Sequence, residues 1–423
     1  MLVVPHTLIA TFIVGMTLIA PVSEYIGLVS KEPRYDRFAR NAAKFLILLF
    51  ASGSAMAFTF FFALVTLYPV FFTYLMNIFF WVFLAEAFMF IGEVLLVYAW
   101  YNAWDRMAYR KRLHVIFGFM GGLFGLVQMT LINVVGSYMM TPSEAPATSV
   151  GWTYLNPTYM ALNMHRFVGN LSYVGFLIAG WAAWRYLRSL REDEREYYDW
   201  MGHWGMIWGF GFMILQPVIG YGYMKAIREH SPVTFEYLMK GDKAWLFNLL
   251  MIELSIMAVA SIAYFLHKMN FARKPMPTLR GLTLGALGFM GILTALLMIP
   301  ADADLVPQLG LVFLEGEKTS IPLGSMYPWK YIGLIGLMLV GIFAVALYLK
   351  ISANGFHWGR ASRWSQYALL AASVTVVLTM MTMGYARETG RRAGDDNWLI
   401  RECITFDQQV IGSGCPEAPK DNP

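Results

Sequence analysis

Long apolar runs separated by short polar segments account for most of the chain. Runs at 6–28, 44–68, 72–101, 112–140, 163–188, 201–224, 244–267, 279–299, 329–350 and 364–386 are each close to or above the roughly twenty residues that a helix needs to cross a bilayer. Backbone polar groups find no water in hydrocarbon, so each run is predicted to be helical throughout. The second and third are parted only by a tight turn near Tyr68 and Pro69. The expected fold is all-α, a polytopic transmembrane helical bundle of about ten spans over residues 1–386, followed by a polar tail at 387–423. The first run lacks the basic segment and cleavage site of a secretory signal, so it is expected to stay as a span. There is no internal repeat and no low-complexity stretch.

Composition agrees with a lipid environment. Hydrophobic residues make up 58% and charged residues 14%, with a mean hydropathy of +0.51; soluble domains carry about 25% charge. The formal net charge of +5 could suggest nucleic acid, but the basic residues lie in short loops, where they set orientation instead. Loop 29–43 holds Lys31, Arg34, Arg37 and Arg40; loop 102–111 holds Arg106, Arg110 and Lys111. Loops 185–200, 268–278 and 351–363 are basic too, the first with acids interleaved, whereas 141–162 carries only Glu144 and 300–328 carries Asp302, Asp304, Glu315, Glu317 and Lys318. With ten spans the basic loops all fall on one side, and the positive-inside rule then puts both termini on the outer, periplasmic side. An odd number of spans would break the alternation. The tail contains the only two cysteines, Cys403 and Cys415, which in an oxidising compartment can form a disulfide; two unpaired thiols are the alternative.

Ionisable residues inside spans are costly and default to functional candidates. Here they are His6, Glu24, Glu86, Glu93, His114, His165, His203, Glu253 and His267. Glu24, His114, His203 and His267 sit at cytoplasmic ends and are expected to be solvated. His6, His165 and Met251 open the first, fifth and seventh spans, all running inward, and so share one outer depth. Imidazole and thioether are the side chains that ligate haem iron, although a helix-end histidine that only hydrogen-bonds, and one methionine among 28, are the plainer readings. Glu86 and Glu93 lie seven residues apart, nearly two helical turns, and so share a face. Such a pair can relay protons or simply bond a neighbouring helix.

Ordered motifs along the chain resemble subunit I of the cytochrome bd quinol oxidases. They are His6-Thr7-Leu8 through Gly15-Met16 to Glu24; Glu86 and Glu93 to Trp104-Asp105-Arg106; His114 to the turn Gly136-Ser137-Tyr138-Met139-Met140-Thr141-Pro142; Leu155-Asn156-Pro157 before His165; and Met251. The likeness covers roughly residues 1–270, more weakly after 200. It implies haem ligation by His6, and by His165 with Met251, quinol oxidation near the outer face, and a proton route through Glu93 and Glu86. There are departures. The Glu86–Glu93 spacing is one residue short, and 225–243 is a short loop in which Lys225 and Glu229 only echo the quinol-loop motif. The span 279–299 has no acid where the family carries a glutamate ligand. A Gly-Arg motif reappears at Gly384 to Arg392, after a tenth helix that the usual subunit lacks, and puts Arg387 and Arg391 at the outer face to pair with haem propionates or a partner.

Three functions follow from this reading. The first is a quinol oxidase subunit of an inner-membrane respiratory chain, bacterial or archaeal, with two or more haems b, haem d as a further type, quinone or quinol as substrate, and a second membrane subunit. The second is a bd-like cytochrome b subunit of a larger respiratory complex, passing electrons between quinone and a periplasmic redox partner such as a cytochrome, without reducing oxygen. The third is a proton-coupled transporter, against which stands the absence of paired half-repeats. Lipid is the expected surroundings, and no nucleic acid is expected.

Overall fold

Among the described residues of the computed structural model, ten helices are long and apolar enough to cross a membrane, one for each apolar run. The structure describes residues 3–142, 156–239, 243–274, 276–298, 328–393 and 398–410. Glu144, Leu155, Cys415 and the acidic residues of 300–328 lie outside them.

The chain divides into two compact units, Met1–Asn170 with Arg391–Pro423, and Leu171–Gly390. The first contains α1 (Val3–Ser30), α2 (Pro33–Leu67), α3 (Pro69–Asn102), α4 (Lys111–Tyr138) and the start of α5 (Tyr159–Arg188). Prolines open α2 and α3, where a missing N–H costs nothing because the first turn has no acceptor for it. The turn between them is as tight as the sequence suggests: Tyr68 N donates to Leu64 O at 2.9 Å while Phe72 N donates to Tyr68 O at 2.9 Å. Glycines on one side of α4 bring it close to α1 and α3. A Cβ on Gly118 would lie 2.9 Å from Trp100 Cε2 and from Pro21 Cγ, and one on Gly122 would lie 2.5 Å from Thr17 O. Lipid offers no hydrophobic drive between helices, so close backbone approach supplies the packing.

The tail returns to this unit. A short hairpin of β1 (Trp398–Ile400) and β2 (Ile404–Thr405) buries Leu399, Ile400, Cys403 and Ile404 against Phe71, Leu75 and Phe79 of α3 and Val134, Val135 and Tyr138 of α4. Gln408 Nε2 donates to Leu67 O at 3.0 Å, and its Oε1 accepts from Val70 N at 3.1 Å, capping the α2–α3 turn. Cys403 is disulfide-bonded.

The second unit contains the rest of α5, α6 (Glu192–Met213), α7 (Gln216–His230), α8 (Pro232–Met239), α9 (Ala244–Lys268), α10 (Pro277–Met298), α11 (Pro328–Ser352) and most of α12 (Arg363–Arg391). The apolar run 201–224 is two helices rather than one, because Pro217 stands in the first turn of α7 and its ring cannot continue a helix from below. The segment 225–243, expected as a loop, is mostly helical, and Lys225 and Glu229 form an i,i+4 pair on α7 at 3.6 Å. α5 and α6 cross at glycines: a Cβ on Gly205 would lie 2.6 Å from Ala179 N, and one on Gly209 would lie 2.8 Å from Phe176 N.

Candidate functional site

Within the first unit, His6 stands in the first two turns of α1. Its Nδ1 is buried with no hydrogen-bond partner, and the ring hydrogen-bonds the backbone of Gly53 on α2. A Cβ on Gly53 would sit 3.1 Å from Ile9, so the glycine lets α2 lie close beside this turn.

Glu86 and Glu93 both face α4, as their spacing requires. Glu86 hydrogen-bonds Gln128. Glu93 is 1% exposed, and its Oε1 has no hydrogen-bond partner. Its carboxyl lies flat on the α4 backbone at Gly125, where any Cβ would overlap Oε1.

His165 is positioned by a polar knot at the end of α4. Asn156 Nδ2 donates to Ser137 Oγ at 2.7 Å and to Val134 O at 3.3 Å, and the Thr141 and Thr158 hydroxyls are 2.6 Å apart. Pro157 follows Asn156, and Tyr159 N donates to Asn156 O at 3.0 Å, so the knot is also the first turn of α5. One turn on, Asn133 Nδ2 donates to Asn163 Oδ1 at 2.7 Å, and Arg166 Nη1 donates to Asn133 Oδ1. Those bonds flank His165 on both sides in sequence and fix the helix that carries it. Arg391 is drawn into the tail, its Nη1 donating to Leu399 O at 2.9 Å and lying 3.2 Å from Met139 Sδ.

In the second unit, Met251 of α9 is 3% exposed and its carbonyl accepts from Ser255 Oγ at 2.7 Å. Arg387 is half-buried near the end of α12. Glu253 is buried, with Oε1 accepting from Thr382 Oγ1 at 2.9 Å and Oε2 without a hydrogen-bond partner.

The side chains fit haem on their chemistry. A buried imidazole nitrogen without a hydrogen-bond partner at His6, a second intramembrane imidazole at His165 and a buried thioether at Met251 are the nitrogen and soft-sulfur donors that haem iron takes. Among the described residues no group of three His, Cys, Asp or Glu side chains is placed to hold a bare metal ion.

Two clusters escaped sequence reasoning. Glu24 and His114, expected to be solvated, are both fully buried. Trp100 Nε1 donates to Glu24 Oε2 at 2.7 Å, and His114 Nδ1 lies 2.6 Å from Glu24 Oε1. His203 is buried too, its Nδ1 2.9 Å from Tyr348 Oη. Close by in the second unit, Asp199 and Lys268 form a fully buried ion pair at 2.7 Å. Both had the look of loop charges, but α6 begins two turns before Asp199, and Lys268 ends α9. His267 keeps an ordinary helix-end role, accepting from Ser362 N at 3.0 Å.

No curated protein matches the chain. Among solved structures, a chain of the bd oxidase from Geobacillus thermodenitrificans shares the fold at 17% identity, with a TM-score of 0.53 over 93% of this chain and 96% of that one. The profile of cytochrome bd terminal oxidase subunit I matches residues 1–412, well beyond the region that carries the sequence motifs. With its multi-pass helical architecture and intramembrane histidines, the chain belongs to the cytochrome bd terminal oxidase subunit I family.

Proposed function

We propose that the protein is the haem-bearing subunit of a bd-type quinol oxidase in a bacterial or archaeal inner membrane. The observation that carries this reading is a pair of buried acceptor atoms without hydrogen-bond partners in spanning helices, His6 Nδ1 and Glu93 Oε1. Such groups in hydrocarbon are costly unless something comes to them; iron suits the first and a proton the second.

His6 would hold the iron of one haem, and His165 with Met251 that of a low-spin haem, since a Met/His pair raises the potential. Haem b is the expected type, two or more, with haem d as a further type. When bound, haem supplies one-electron transfer and an iron open to oxygen. The chain supplies the rest. The Asn156 knot orients the helix that carries His165, and Glu93 and Glu86 hold protons on a face shielded from lipid by α4. Quinol is oxidised near the outer face, toward which the first turns of α1, α5 and α9 point on the loop charges. Arg387 pairs with a haem propionate or with a partner, as does Arg391 alongside its hold on the tail. Phe58, Phe62, Trp81 and Phe88 of α2 and α3 are largely exposed, a surface suited to lipid and to the second membrane subunit with which the family works.

The acid-free α10 favours a second reading, in which a larger respiratory complex passes electrons between quinone and a periplasmic cytochrome without reducing oxygen. The visible absorption spectrum and oxygen consumption of the purified complex separate the two. A Soret band with quinol-driven oxygen uptake is expected; a b-type spectrum without oxygen uptake selects the second reading, and no Soret band sinks both.

A further inference from the structure

Within the first unit, α2 and α3 leave between them an open groove of about 330 Å³. That lies at the small end of the roughly 300–1,000 Å³ that small-molecule sites occupy. Ile47, Ala51 and Ser54 form one wall, and Ile91, Val94 and Leu95 the other. Phe50 is buried, and its ring meets that of Phe90 with the centroids 6.4 Å apart, which gives the groove a base. The Ser54 hydroxyl donates to Phe50 O at 2.6 Å, so it is spent on its own helix. The walls therefore offer hydrocarbon. Ile91 is 53% exposed and Leu95 63%, so their apolar neighbour comes from outside the unit.

One end of the groove is charged. Lys44 precedes Ile47, Ala51 and Ser54 on one face of α2, about one turn nearer the basic loops. It is the last charge on that helix, since no residue from Phe45 to Leu67 is charged. Lys44 thus stands where headgroups give way to acyl chains, the depth at which a long basic side chain reaches for the interface. Arg40, one turn earlier on the same face, is spent on Asp105 at 2.6 Å. Lys44 is exposed, and among the described residues no carboxylate pairs with it. Tyr98, the last lining residue of α3, is 56% exposed and carries the amphipathic ring that settles at a membrane interface. Phe58, Phe62, Trp81 and Phe88 lie nearer the Tyr68 turn, so the face suited to a second subunit and the groove divide the helix pair between them.

We propose that this groove binds an acyl chain of an anionic phospholipid from the leaflet on the basic side, with the lipid phosphate against Lys44. The hydrocarbon walls select a chain and the ammonium selects a negative headgroup. A soluble anion lacks the chain, and a quinone tail fills the groove but leaves Lys44 without a counter-charge. A zwitterionic lipid brings a cation of its own, which offsets the attraction of its phosphate. Basic pockets between spanning helices on the cytoplasmic side are where anionic headgroups settle. The site stands apart from the haem and proton readings: it decides which lipid the protein keeps, and no bond is made or broken there.

The test uses the complex as purified, in nanodiscs of phosphatidylglycerol or of phosphatidylcholine, each doped with the same lipid carrying a photoactivatable diazirine in its acyl chain. Labelled peptides are identified by mass spectrometry in wild type, Lys44→Gln, Lys44→Arg and Ala51→Trp, and thermal unfolding shows that each variant is folded. Phosphatidylglycerol is expected to label 47–54 and 90–98, and phosphatidylcholine to label them about fivefold less, which is what one cation near a membrane surface is worth. Lys44→Gln is expected to lower phosphatidylglycerol labelling to the phosphatidylcholine level, Lys44→Arg to keep it, and Ala51→Trp, which fills the groove, to abolish labelling by both. Equal labelling of wild type by the two lipids would mean an adventitious contact only, and wild-type labelling of Lys44→Gln would take the phosphate away from Lys44; either overturns the site. Absence of labelling by both lipids would mean that protein covers the groove in the complex, which overturns it too. The wild-type comparison needs no variant, so it decides where a variant unfolds.

Discussion

Gly125 shows how much a single missing side chain can decide. Glu93 keeps its carboxyl inside the helix pair, and only an α4 position without a Cβ leaves room for it. Gly125→Ala is therefore expected to displace the carboxyl at an overpacking cost of about 1–3 kcal/mol. If that cost falls on the relay, turnover drops by about tenfold for each 1.4 kcal/mol while the haem spectrum stays as in wild type. A spectrum altered as much as the rate would instead assign Gly125 to haem packing. The glycine itself was not legible in the sequence: α4 has many, and only the facing carboxylate distinguishes this one. Glu86 and Glu93 were legible because a helix converts spacing into direction. Glu24 and His114 stand out in the sequence as ionisable residues of spans but not as buried ones, because hydropathy places a residue along a span and says nothing of which neighbours cover it.

At the scale of the element, spans were readable because lipid forces every apolar run into one conformation, and the proline that opens α3 marks its turn plainly. The break between α6 and α7 was signalled by Pro217 and lost in the hydropathy of a long run. The knot at Asn156 could not have been foreseen, since its partners Ser137, Val134 and Thr141 lie across a loop. Asn156→Ala leaves the hydroxyl of Ser137 without its donor in a buried site, at about 1–3 kcal/mol. The low-spin haem signal assigned to His165 is expected to weaken with it, and an undiminished signal would show that α5 holds its histidine without the knot. In the second unit Asp199 ties α6 to Lys268 of α9 and, through Gly359 N at 2.9 Å, to the turn before α12. Asp199→Asn leaves a buried ammonium unmatched and is expected to cost about 3–5 kcal/mol, whereas Asp199→Leu with Lys268→Met is expected to recover much of it. Thermal unfolding of the three proteins distinguishes a buried pair that fixes position from one that merely survives. Gly359 has φ +78°, where any other L residue is strained by about 1–2 kcal/mol, so Gly359→Ala is expected to lower the same melting temperature.

The whole molecule adds one property that no single span possesses, a direction across the membrane. Each basic loop alone is weak evidence; five on one side, with an acidic or neutral set opposite, make reversal costly because every one of them would have to cross. On that proposed orientation His6, His165 and Met251 are expected near the outer face, and the tail with its Cys403 disulfide in the oxidising space. Labelling can test it. Leu190, between α5 and α6, is 99% exposed, and Val410, in the tail, is 57% exposed. In sealed right-side-out vesicles, a cysteine replacing Val410 is expected to react with a membrane-impermeant maleimide from outside, and one replacing Leu190 only after the vesicles are opened. The opposite pattern would turn the molecule over. The tail would then sit in a reducing compartment, and a proton reaching the proposed Glu93 relay would come from the periplasmic side.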